Sequence, residues 1–100
     1  MKIKILIPVY NDFQSVSKLI DDINSTILSS NAEFSVVIIN DASTDKAEID
    51  VSNINKIKSI KIINMKENQG HARCIATGLK YIFEKDEFDY LIPMDGDGED

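Results

Sequence analysis

Two runs of consecutive apolar, largely β-branched residues constrain this chain most: Ile5-Leu6-Ile7-Pro8-Val9 and Val36-Val37-Ile38-Ile39. A strand with one wet face alternates apolar and polar side chains. These runs do not alternate, so both of their faces must be covered, the usual condition of strands in a parallel sheet with helices on either side.

The rest of the chain supplies the missing layers. Strands are expected over residues 2–10, 33–40, 59–65 and 88–94. Between them, Phe13, Val16, Leu19, Ile20, Ile23, Ile27 and Leu28 recur at helical steps and predict a helix over 13–30. Ala72, Ile75, Ala76, Leu79, Ile82 and Phe83 predict a second over 71–85. Residues 46–58 read as an irregular helix around Ile49, Ile54 and Ile57. Asn11 or Asp12 suits the cap of the first helix. Gly78 inside the second helix suggests close packing, since glycine there costs about 1 kcal/mol relative to alanine. Strand and helix alternate, which implies an α/β fold: a Rossmann-like parallel sheet of about four strands with right-handed crossovers. Pro93 lacks an amide hydrogen, so the fourth strand belongs at an edge, giving the order 3-2-1-4. One hundred residues suit one domain, 1–100.

Charge narrows the partners. The net charge of −6 argues against nucleic acid and anionic membrane surfaces. A single cysteine, Cys74, excludes an internal disulfide and fits a reducing compartment. No apolar run is long enough for a membrane span, so the expected location is the cytoplasm.

The chemistry gathers at the strand ends. The last expected strand runs into Asp95-Gly96-Asp97-Gly98-Glu99-Asp100, where carboxylates stand close enough to need water or a cation between them. Hard divalent ions, Mg²⁺ or Mn²⁺, prefer such oxygens. On this reading Asp95 and Asp97 hold a metal, and the metal holds a diphosphate. A solvated acidic tail is the plain alternative. A calcium loop would need a helix on each side and a glutamate at its twelfth position. Ligands of open parallel sheets bind outside the carboxyl ends of the strands. Tyr10-Asn11, 40–45 and 95–100 all fall there. No Gly-x-Gly-x-x-Gly follows the first strand, which argues against a nicotinamide site.

Four segments together carry a likeness: Ile7-Pro8-Val9-Tyr10-Asn11, Ile39-Asn40-Asp41-Ala42-Ser43-Thr44-Asp45, Asn68-Gln69-Gly70-His71-Ala72-Arg73 and Met94-Asp95-Gly96-Asp97. In order and spacing the chain resembles the amino-terminal half of family 2 glycosyltransferases, of GT-A fold. The helix after Gly70 is most similar to the branch with dolichyl-phosphate mannose synthase and other polyprenyl-phosphate glycosyltransferases. The resemblance implies a UDP- or GDP-linked sugar as donor, with Pro8, Tyr10 and Asn11 lining the nucleotide pocket. It implies that Asp41 hydrogen-bonds the base, that Asp95 lies near sugar and ribose, and that Asp97 holds the metal. Arg73 would add a cationic contact to the phosphates.

Asn40 and Ala42 depart from the pattern, where many relatives have Asp and Gly. Family members continue past the Asp-x-Asp motif into an acceptor half with the catalytic base, so this chain reads as an inactive part of a longer, inverting enzyme. A longer chain would work at the cytoplasmic face of a membrane if an anchor follows. The alternative is a non-catalytic assembly module that pairs, as a homodimer, through the fourth-strand edge.

Overall fold

The computed structural model describes residues 1–26, 32–44, 49, 54–85 and 87–94. Within them the elements are β1 (Lys2–Val9), α1 (Phe13–Thr26), β2 (Glu33–Asn40), β3 (Ile57–Asn64), α2 (His71–Lys85) and β4 (Tyr90–Pro93). The four strands form one parallel sheet in the order β3-β2-β1-β4.

Strand parity divides the unbroken apolar runs between two cores. Ile5, Ile7 and Val9 of β1 join Val36 and Ile38 of β2 under Phe13, Val16 and Ile20 of α1. Leu6, Val37 and Ile39 face the opposite way, onto Cys74 and Ile82 of α2. Fully burying each such aliphatic side chain contributes about 1.5–3 kcal/mol. Both helices are therefore held by one continuous sequence signal. At Gly78, α2 comes so close that an added Cβ would lie 2.5 Å from Leu6 Cδ1 and 3.0 Å from Ile39 Cγ1.

Several expectations need correction. Tyr10 lies beyond the end of β1, and β4 is shorter than the 88–94 predicted. Residues 54–58 are not helical: Ile54, Asn55 and Lys56 are irregular, and β3 begins at Ile57, which pairs with Phe34. The cause is Asn24 of α1, a polar residue that helical spacing put outside the apolar stripe. It is buried, and its Oδ1 accepts from Asn55 N (3.2 Å) and Lys56 N (2.8 Å). These bonds lead the chain out of the helical path and into β3, where β-branched Ile57 suits a strand. The remainder of that expected helix, apart from Ile49, lies outside the described residues, as does the end of the helix predicted to 30. The apolar face of α2 is also rotated from the prediction: Phe83 is exposed and Cys74 is fully buried.

Pro93 falls where its strand needs no hydrogen, and Pro8 falls where pairing with β4 ends among the described residues. Leu6 O accepts from Met94 N at 2.8 Å, and Val9 O accepts from Asp41 N at 2.8 Å. Backbone polar groups alternate sides along a strand, so the Pro93 nitrogen faces away from β1. The Pro8 nitrogen faces the β4 side, beyond Leu6, the last residue of β1 paired with β4.

Candidate functional site

The carboxyl ends of β1 and β2 are tied together by side chains from the turns that follow them. Asn11, just past β1, has a positive φ of 53°. Its amide oxygen accepts from Thr44 N at 2.7 Å and Thr44 Oγ1 at 3.2 Å, and its N–H donates to Ser43 Oγ at 2.9 Å. Asp12 Oδ1 accepts from Ser15 N at 3.3 Å, the expected cap of α1. Ala42 also has a positive φ, 57°, the left-handed conformation in which its Cβ is strained.

Asn40 closes β2 with a buried amide. It accepts from Ser43 N at 3.0 Å and donates to Asn64 Oδ1 at 2.9 Å. Asn64 ends β3 directly opposite Asn40 in the register. In this arrangement the Asn40 amide serves as acceptor and donor at once, a double role that the amide's two ends allow. The signal was present in the sequence: two asparagines each closing an apolar run that pairs in parallel.

Asp41 is 3% exposed. Its carboxylate accepts from Gln69 N at 2.7 Å and Gly70 N at 2.9 Å, immediately before α2. A carboxylate out of water is sustained by such amide bonds. Burial and then the neighbouring Asp41 carboxylate push the Cys74 thiol up to about 12.

Of the other predicted residues, Pro8 is buried in β1 opposite Ile39. Tyr10 is 52% exposed at the rim, and Arg73 is exposed on the first turn of α2. Tyr10, Asn11 and Asp41 thus share the carboxyl-end rim with the start of α2. Asp95 and Asp97 lie outside the described residues, as does Asp45. Among the described residues, no three His, Cys, Asp or Glu side chains group as a metal site. No helix among them is long and apolar enough to cross a membrane.

The model of the glycosyl transferase family 2 matches residues 4–100. The chain belongs to glycosyl transferase family 2. Among solved structures, S. aureus TarS 1-349 in complex with UDP-GlcNAc superposes with a TM-score of 0.72 at 24% identity, over 97% of this chain and 27% of that one. S. aureus TarS matches with a TM-score of 0.70 at 23% identity, over 97% and 17%. These likenesses establish the fold of the family 2 domain. A protein of Methanocaldococcus jannaschii, MJ0544, itself uncharacterised, is 26% identical over 94 residues, 92% of this chain and 38% of that protein. The family 2 segment here spans well under half the length of each relative.

Proposed function

We propose that this chain is the nucleotide-sugar-binding part of a metal-dependent glycosyltransferase, which moves a sugar from a nucleoside diphosphate to an acceptor hydroxyl or lipid phosphate. One observation carries the reading: the Asn11–Thr44 bond, 2.7 Å, which joins two loops at the carboxyl end of a parallel sheet. That is where ligands of such sheets bind. Family membership and the shared fold with a UDP-GlcNAc complex support it.

Pro8, Tyr10 and Asn11 line the nucleotide side of the pocket, with Asp41 at its floor. Arg73 and the amino end of α2 favour the diphosphate, a helix start being suited to anions. Asp95 and Asp97 hold Mg²⁺ or Mn²⁺. Two hard oxygen donors separated by one glycine fit either ion. Once bound, the ion stabilises negative charge on the leaving diphosphate as a Lewis acid. The lipid-phosphate acceptor follows the likeness of α2 to the polyprenyl-phosphate branch. The reading places the chain in the cytoplasm, where a lone thiol stays reduced.

Titration calorimetry with Mn²⁺ plus UDP or GDP tests this. The wild type binds one nucleotide in the presence of Mn²⁺, and Asp97→Ala weakens that binding by tenfold or more. Equal affinities would remove the metal role.

The exposed Tyr90 (56%) and Ile92 (39%) on β4, an edge strand among the described residues, favour a second reading as a self-pairing module. Native mass spectrometry separates the two. A dimer indifferent to nucleotide and Mn²⁺ would support assembly.

A further inference from the structure

We propose that Ser43 and Thr44 are positioning residues that hold Tyr10 in place for the nucleoside. The proposal rests on the nucleotide-sugar reading above and adds two residues to it. Tyr10 lies between two peptide units, and each is bonded to the turn that follows β2. On one side, Val9 O accepts from Asp41 N at 2.8 Å. On the other, Asn11 N donates to Ser43 Oγ at 2.9 Å. With both flanking planes held, the direction of the Tyr10 Cα–Cβ bond is set, and only the side chain's own torsions are left to order.

Thr44 completes the link. Its N–H and its hydroxyl both donate to Asn11 Oδ1, at 2.7 Å and 3.2 Å. Ser43 N donates in turn to Asn40 Oδ1 at 3.0 Å, and Asn40 is buried at the end of β2. The bonds therefore run unbroken from the edge of the core to the exposed rim. The same two turns carry backbone strain. Asn11 and Ala42, with φ of 53° and 57°, are the non-glycine residues of positive φ among the described residues. Strain of this kind persists where the surroundings over-determine it, and it clusters at ligand sites. Asn11 and Thr44 are exposed, so water competes for their bonds and the net gain in global stability is small. Their contribution is order: a rim already set before the ligand arrives loses less entropy on binding.

A double-mutant cycle tests this, read by calorimetry with UDP or with inorganic pyrophosphate, each with Mn²⁺. The variants are Tyr10→Ala, the pair Ser43→Ala with Thr44→Val, and all three changes together. Tyr10→Ala is expected to weaken UDP by about tenfold, as loss of a base-stacking aromatic does. The Ser43 and Thr44 pair is expected to weaken UDP by about threefold to tenfold, the net worth of such hydrogen bonds, and to leave pyrophosphate unchanged. On top of Tyr10→Ala the pair is expected to add nothing, because it acts through Tyr10. Equal losses with and without Tyr10 would show that Ser43 and Thr44 act on the nucleotide by themselves. Equal losses for UDP and pyrophosphate would show a general loss of structure. Either result overturns the proposal, as does an unchanged affinity for UDP.

If the Ser43 and Thr44 pair does not fold, hydrogen exchange on the wild type decides. The amides of Asn11 and Thr44 are expected to be protected before UDP is added. Exchange of either at the rate of an open loop would overturn the proposal. A wild type that does not bind UDP sinks the nucleotide-sugar reading itself, a different result from an additive cycle.

Discussion

Ala42 occupies a conformation that glycine adopts without strain, φ 57°. Ala42→Gly is expected to raise stability by about 0.5–1 kcal/mol, because relief of the Cβ clash exceeds the extra entropy of the unfolded glycine. Chemical denaturation measures it, and a loss of stability would contradict the strain. Cys74 gives a pH signature. Burial, and then the neighbouring Asp41 carboxylate, push its thiol from the ordinary 9.0 up to about 12, so the folded state holds the proton more tightly. That stability is intact below pH 9 and declines as pH rises toward 12, by at most about 1.4 kcal/mol per pH unit. The difference in unfolding free energy between wild type and Cys74→Ser isolates this slope from the lysines and tyrosines. Parallel profiles would show that the thiol is not held neutral. The position of Ala42 was legible in the sequence as a departure from its relatives. The burial of Asn24 was not, because an asparagine beside an apolar stripe looks like surface until its partners, the amides of Asn55 and Lys56, are in place.

Among elements, α2 depends most on close contact. Gly78→Ala adds helix propensity worth about 1 kcal/mol, but forces a methyl to 2.5 Å from Leu6 Cδ1 and 3.0 Å from Ile39 Cγ1. Leu6 and Ile39 are both fully buried, so the methyl must displace side chains that already pack in the core. Overpacking of this kind costs about 1–3 kcal/mol. The expected result is a net loss of stability, larger in Gly78→Val, read from thermal melts. Helical spacing alone allowed two faces for α2, because Ala72 and Ala76 are apolar yet small. The sheet selects the stripe Cys74, Gly78 and Ile82, four residues apart, which lets the backbone approach, and Phe83 turns outward. The strands were more legible. Their parity is fixed, so uninterrupted apolar runs had to serve two layers. Strand ends were less so: β3 starts where a side chain of α1 holds the chain, a contact with no sequence-local sign.

At the scale of the whole molecule, ligand and stability are linked. A ligand that binds only the folded chain, present at ten times its dissociation constant, adds about 1.4 kcal/mol. For a domain of this size, that lifts the melting temperature by about 6–11 °C. UDP with Mn²⁺ is expected to produce such a shift, and EDTA to abolish it. A shift unaffected by EDTA would detach the nucleotide from the metal. The order β3-β2-β1-β4 was readable because Pro93 demanded an edge. The joining of the turns at the rim was readable only in outline, since Asn11 meets Thr44, and Asn40 meets Asn64, through folding alone.

Pro8 gives this architecture a built-in fork. Among the described residues, β1 pairs with neighbours on both sides as far as Leu6, then with β2 alone. With no hydrogen to offer at residue 8, the first strand can accept but not donate on that side, just where the carboxyl-end rim begins.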